Sequence, residues 1–172
     1  MSVAICQSCG KPHDDLAFAI PVRLPTVVTP ISEAERESRV WSNGELCVLD
    51  DLSFFLYGSI EIPIHGHEGH FIWGAWVQLS EEHFFWYQQL LDDEGREANE
   101  PFNALLATDI PFYPPTRDLP TLVTLQPKGY RPLFQLTSTE HQLGQDQAHG
   151  VEPERIEAIK RWFASLPGRG GA

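Results

Sequence analysis

FFLYGSIEIPIHGHEGHFIWGAWVQLS, residues 54–80, is the stretch whose reading decides the fold. β-Branched and aromatic residues crowd both of its arms, a chemistry that suits a pleated, half-buried surface. The glycines and histidines between the arms mark a turn. In the second arm Phe71, Trp73, Ala75, Val77 and Leu79 alternate with Ile72, Trp76 and Gln78, so the two sets fall on opposite faces of a strand. Both faces are largely apolar, which predicts a central strand covered on each side.

Working outward, ELCVLDDLS adds a strand and a turn before the first arm, with Asp50-Asp51 as the break. Upstream, Ser32 and Glu35 stand at capping-box spacing and predict a short exposed helix over 33–40 with Trp41 as its anchor. Pro21, Pro25 and Pro30 forbid a helix before it and imply an extended path. Downstream, Ser80 is an N-cap and Glu81 and Glu82 favour the positive end of a helix dipole, so a helix is expected over 81–91. Tyr113-Pro114-Pro115-Thr116 is a loop, and TLVTLQ and PLFQLTS form a hairpin through PKGYR. A last helix starts at Pro153 and carries Ile156, Ile159, Phe163 and Leu166 on one stripe. The expected fold is α+β: a mainly antiparallel sheet with helices packed on it, in one domain over 1–172, with a metal knuckle at 1–13 and a frayed tail at 167–172.

The chain has 172 residues, of which 42% are hydrophobic, enough for one sizeable core. Its net charge of -12, from 12 Lys+Arg against 24 Asp+Glu, excludes the basic stripe that nucleic-acid binding requires. It is compatible instead with a basic protein partner. The start, MSVAICQSC, lacks the basic and apolar regions of an export signal, and no apolar run approaches the roughly 20 residues that span a bilayer. A cytoplasmic protein with no membrane association is expected, and its three cysteines read as reduced thiols or metal ligands.

Cys6-x-x-Cys9-Gly10 is the strongest chemical motif. The spacing lets two thiolates reach one ion, and glycine turns the backbone around it. Zinc is the expected cofactor. His13 closes the set locally, or Cys47 reaches it from the LCVL strand. All four together make a closed Cys3His site, which leaves no position for substrate and is structural. For Cys47 the alternative is a small buried core residue, and for His13 a surface turn. His65, His67 and His70 form a second candidate metal site for Zn, Ni or Cu, with Glu68 beside them, although the glycines and the i, i+2 pair are unlike the helical H-E-x-x-H arrangement. The alternative there is an exposed polar loop. His141 and Gln147, beside Glu140 and Asp146, either line a pocket or hydrogen-bond loop backbone.

CQSCGKPH, LCVLDD, FFLYGSIEIP, FIWGAWVQLSEEHF, LPTLVTLQPKGYRPLFQL and TEHQLGQDQAHGV, in that order, resemble the bacterial family called domain of unknown function 2199. The resemblance implies a small cytoplasmic bacterial protein without an established activity. HGHEGH departs from the family pattern, so chemistry there would belong to this chain alone. Two functions follow from the residues: a non-catalytic binding protein with a structural zinc site, or a metal-dependent hydrolase or metal-binding protein built on HGHEGH. For the first, Trp41, Trp73, Trp76, Trp86 and Trp162 supply core and interface. Neither reading fixes the oligomeric state.

Overall fold

The computed structural model describes residues 18–167 and the backbone of Ala4–Ile5 and Pro12–His13. Those two dipeptides pair antiparallel as β1 and β2. The chain continues through β3 (Ala19–Ile20), α1 (Glu33–Arg39), β4 (Val40–Ser42), β5 (Leu46–Leu49), β6 (Ser53–Pro63), β7 (His70–Leu79) and α2 (Glu81–Gln89). Then follow β8 (Phe102–Leu106), β9 (Pro120–Thr124), β10 (Leu133–Leu136), α3 (Gln142–His149) and α4 (Pro153–Ser165). β1, β2, β4, β8 and α3 lie outside the expectation drawn from the sequence.

The quoted stretch is β6 and β7, paired antiparallel from Phe54↔Leu79 to Pro63↔His70. From this ribbon β8, β9 and β10 continue antiparallel, and β10 then returns to lie parallel beside β6 at Leu133↔Ser59. The sheet, for which the sequence reading gave no topology, is closed: β6, β7, β8, β9 and β10 form a barrel, with β5 and β4 extending it beyond β6. Closure removes strand edges that would otherwise be open to pairing. It depends on Gly58, because the Phe134 ring of β10 and the Pro132 carbonyl occupy the place of a side chain there. Among the described residues, the strands of this sheet that pair in parallel are β10–β6 and β3–β7.

The alternation read in β7 divides two cores. Phe71, Trp73, Ala75, Val77 and Leu79 join Leu56, Ile60 and Ile62 of β6 and Val123 and Phe134 of β9 and β10. Phe84 and Tyr87 of α2, Leu143 of α3, and Ile156 and Ile159 of α4 seal the same cluster. Trp76 faces the other way, with Tyr57, Phe55, Cys47 and Val28. Each large aliphatic or aromatic side chain so buried contributes about 1.5–3 kcal/mol.

Capping follows the sequence. Ser32 Oγ accepts from the Glu35 amide (3.3 Å) and Ser80 Oγ from the His83 amide (3.1 Å), which starts α1 and α2 where the caps predict. Asp50 and Asp51 take the left-handed backbone, φ 53 and 54, that turns β5 into β6. Trp41 corrects one expectation: it is 49% exposed on β4 and does not anchor α1, which buries no residue. Arg39 ties α1 instead, through Asp50 at 2.8 and 2.9 Å. Gly168 onward, most of the expected frayed tail, lies outside the described residues.

Candidate functional site

The histidine turn joins β6 to β7. His67 N–H donates to the Ile64 carbonyl (3.0 Å), and Gly66 supplies a φ of 77. His65 leaves the turn sideways toward the junction of α3 and α4. Its backbone N–H donates to the Val151 carbonyl (2.9 Å), and Val151 N–H returns to the Pro63 carbonyl (2.9 Å). Its Nδ1 lies 2.6 Å from Glu152 Oε1 and its Nε2 2.8 Å from the His149 carbonyl. The carboxylate and the carbonyl both accept, so both bonds are made together by the protonated ring. The Glu152 carboxylate and then the His149 carbonyl hold its pKa above the ordinary histidine value. Gly150 permits the approach. Its φ is 80, and a side chain there would press on the His65 ring and the Pro63 carbonyl.

A ring with both nitrogens donating has no lone pair for a metal. Among the described residues no three His, Cys, Asp or Glu side chains converge where an ion could sit, so His65, His67 and His70 do not form such a group. His70, the first residue of β7, lines a polar cleft of about 270 Å³ with Ser59, Glu61, Thr124, Gln135 and Gln147. The cleft lies where β10 and β6 diverge from their Leu133↔Ser59 pairing.

Cys47 sits on β5, fully buried among Phe55, Tyr57 and Trp76, and burial pushes its thiol up to about 11. Among the described residues it forms no disulfide and its neighbours are those of a core residue. Cys6, Cys9 and the side chain of His13 lie outside the described residues. The chain that follows them is placed, however. The Phe18 carbonyl accepts from Ile72 N–H (2.9 Å), and Ile20 pairs with Trp73, which anchors this segment to β7 just past His70.

The polar segment before α4 is architectural. His141 caps α3, its Nδ1 accepting from Leu143 N–H (3.1 Å) while its Nε2 lies 3.2 Å from the Pro115 carbonyl. Gln147 bonds the amide of Leu136 and the carbonyl of Phe134 (2.8 and 2.7 Å). Both residues thus satisfy backbone, as one of the two sequence readings expects, and Gln147 lines the cleft as well. Sequence reasoning missed the centre of this cluster, the buried Asp146. It accepts from the Tyr113 hydroxyl (2.7 Å) and Gln142 Nε2 (2.8 Å), and Arg155 Nη2 lies 3.2 Å away as an ion pair. Burial, and then the bond to Asp146, pushes Tyr113 up. The i, i+4 spacing of Gln142 and Asp146 was the available signal; Tyr113 and Arg155 are brought in only by folding.

These features define a small closed β-barrel flanked by helices, with a polar cleft at its parallel seam. The chain belongs to the family described as an uncharacterized protein conserved in bacteria, DUF2199, whose profile matches residues 5–151. The matched span runs from the cysteine motif to Val151, on which the histidine turn docks, and stops before α4. Comparison with curated proteins and with solved structures produced no match. No helix among the described residues is long and apolar enough to cross a membrane.

Proposed function

We propose that the protein is a non-catalytic binding protein that recognises a basic protein partner, with a structural zinc site at its N-terminus. One observation carries the recognition part. Trp41, Val48 and Phe54 lie directly opposite one another across β4, β5 and β6, so their side chains share a face. Phe85 of α2 extends the row, its ring 5.9 Å from that of Phe54. Trp41 and Phe85 are each 49% exposed, Trp41 on β4, a strand at one end of the sheet among the described residues, and Phe85 on α2. Exposed aromatics in a row are the kind of anchor that protein interfaces use. The elements that carry or adjoin these rings are acidic: α1, which leads into β4, has Glu33, Glu35 and Glu37, and the first turn of α2 has Glu81 and Glu82. The nearby Arg39 is already paired with Asp50. Exposed rings on elements rich in carboxylates suit a partner that offers apolar side chains among lysines or arginines.

The zinc part rests on the Cys6-x-x-Cys9-Gly10 spacing, with His13 and Cys47 as the completing donors. Cys47 would have to give up its buried, protonated state to join. The anchoring of residues 18–20 to β7 gives the knuckle a role, because a metal-held turn there would hold the segment leading into β3. The engagement of both His65 nitrogens favours this reading over a hydrolase built on HGHEGH.

Two measurements test the proposal. Purified protein should hold one zinc per chain, and a Cys6→Ser/Cys9→Ser variant should lose it and melt at lower temperature. Protein purified without metal would sink the zinc part. For recognition, wild type and a Trp41→Ala/Phe85→Ala variant serve as paired baits. A protein retained by wild type, lost by the variant and released by salt is expected; identical retention by both overturns the assignment of this face.

A further inference from the structure

Ser59 is 3% exposed, yet its hydroxyl forms no hydrogen bond among the described residues. Its backbone N–H donates to the Pro132 carbonyl at 2.9 Å, but the side chain stays unpaired. Successive side chains of a strand alternate, so Ser59, Glu61 and Pro63 point away from the core that Ile60 and Ile62 enter. These three line the polar cleft of about 270 Å³ at the seam of the barrel. Leu133 stands beside Ser59 on β10, and Thr124 stands opposite Leu133 on β9. Thr124 also lines the cleft, and its hydroxyl is unbonded too. Burial does not seal Ser59 off: among the described residues, the side-chain nitrogens and oxygens that lack both a partner and access to water belong to Arg36, Trp73 and Arg155. The Ser59 hydroxyl therefore opens into the cleft. Gln147 is a wall of it, because both ends of its amide are spent on β10.

We infer that this cleft is a binding site for a small, neutral, hydroxyl-rich molecule of monosaccharide size. Ser59, Thr124 and the amide of Gln135 each donate and accept, the mixture that a sugar hydroxyl pairs with. Ser59 and Thr124 lie two strand spacings apart, roughly 9–10 Å, which a six-membered ring with hydroxyls at opposite ends bridges through one bond to each. Between them Leu133, with Pro63 nearby, offers apolar surface to the C–H face of such a ring. The size fits: a cavity of about 150 Å³ holds benzene, and a hexose has about twice as many non-hydrogen atoms. Glu61 sets a carboxylate at the cleft, and among the described residues no lysine or arginine lines it, which disfavours anions. Glu61 is itself engaged with another group, so a cation gains no open counter-charge. An apolar ligand would leave the hydroxyls unpaired. The cleft shares no residue with the Trp41–Phe85 row or the zinc donors, so it stands or falls independently of them.

D-Glucose, D-galactose, D-mannose and myo-inositol are titrated separately into the ¹⁵N-labelled full chain, with gluconate, glucosamine and cyclohexanol as the anionic, cationic and apolar comparisons. At least one of the polyols should move the amide signals of Ser59, Leu133 and Gln135 and saturate, and each comparison should bind more weakly than that polyol. Ser59→Ala should weaken the response about tenfold, the worth of one hydrogen bond. The same variant should melt no lower than wild type, because the hydroxyl bonds nothing in the fold. Gln135→Trp, at an exposed position of the lining, covers the cleft and should abolish the response. No saturable shift with any polyol, equal binding of a comparison, undiminished binding by Ser59→Ala, or a Ser59→Ala variant that melts lower overturns the site.

Discussion

An imidazole that ligates a metal or accepts a proton needs one bare nitrogen, and both nitrogens of His65 face acceptors that hold it protonated more strongly than an ordinary histidine. Its two N–H groups are held by Glu152 and the His149 carbonyl, so it works as a charged clasp between the β6–β7 turn and the α3–α4 junction. The folded-state pKa is raised, so the clasp stabilises fully below the ordinary histidine value and its contribution is lost as pH rises through the folded value. A His65→Gln variant should therefore be less stable than wild type at about pH 6, and the difference should shrink toward about pH 8. Urea unfolding at both values checks this, and a difference that does not change with pH would rule out the imidazolium. Cys47 shows the same limit on reading single residues. A cysteine in LCVL is compatible with ligand or core, and only its neighbours Phe55, Tyr57 and Trp76 show where it lies in the fold.

Elements whose signal is local match their expectation closely. α1 and α2 begin at Ser32 and Ser80 because a cap is a contact between residues three apart. The β9–β10 hairpin and α4 also stand where turn residues and the apolar stripe put them. β8 was not read, although its signal is local: Phe102, Ala104 and Leu106 are buried while Asn103 and Leu105 are exposed, a period of two in a short run. α3 was not legible. QLGQDQAH has little apolar content, and its buried face is made by Leu143, by Gly144 lying against the Ser138 carbonyl, and by Asp146. That helix is held largely by polar contacts that residues distant in sequence complete. Asp146→Ala should cost about 3 kcal/mol, because it leaves the Tyr113 hydroxyl and Gln142 without their acceptor and Arg155 without its counter-charge. Equilibrium unfolding measures the loss, and a change below about 0.5 kcal/mol would show that the cluster does not hold α3 and α4 in place.

At the scale of the whole molecule, one core spans the barrel and three helices. Far-UV circular dichroism and tryptophan fluorescence should therefore report coincident urea transitions. An earlier helical transition would mean that α3 or α4 docks on a barrel that is stable without it. The sequence by itself determined the longer strands β6 and β7, the β9–β10 hairpin, the helices α1, α2 and α4, the two-faced burial of β7, and the Ser32 and Ser80 caps. These rest on periodicity and on contacts within a few residues. Only the tertiary structure decided that the sheet closes, because closure depends on β10 meeting β6 at Leu133↔Ser59 and on the Phe134 ring filling the space left by Gly58. It also decided what the histidines do. The partners of His65 lie at positions 149 and 152, and a motif's spacing carries no information about which distant acceptors the fold will bring to its ring nitrogens.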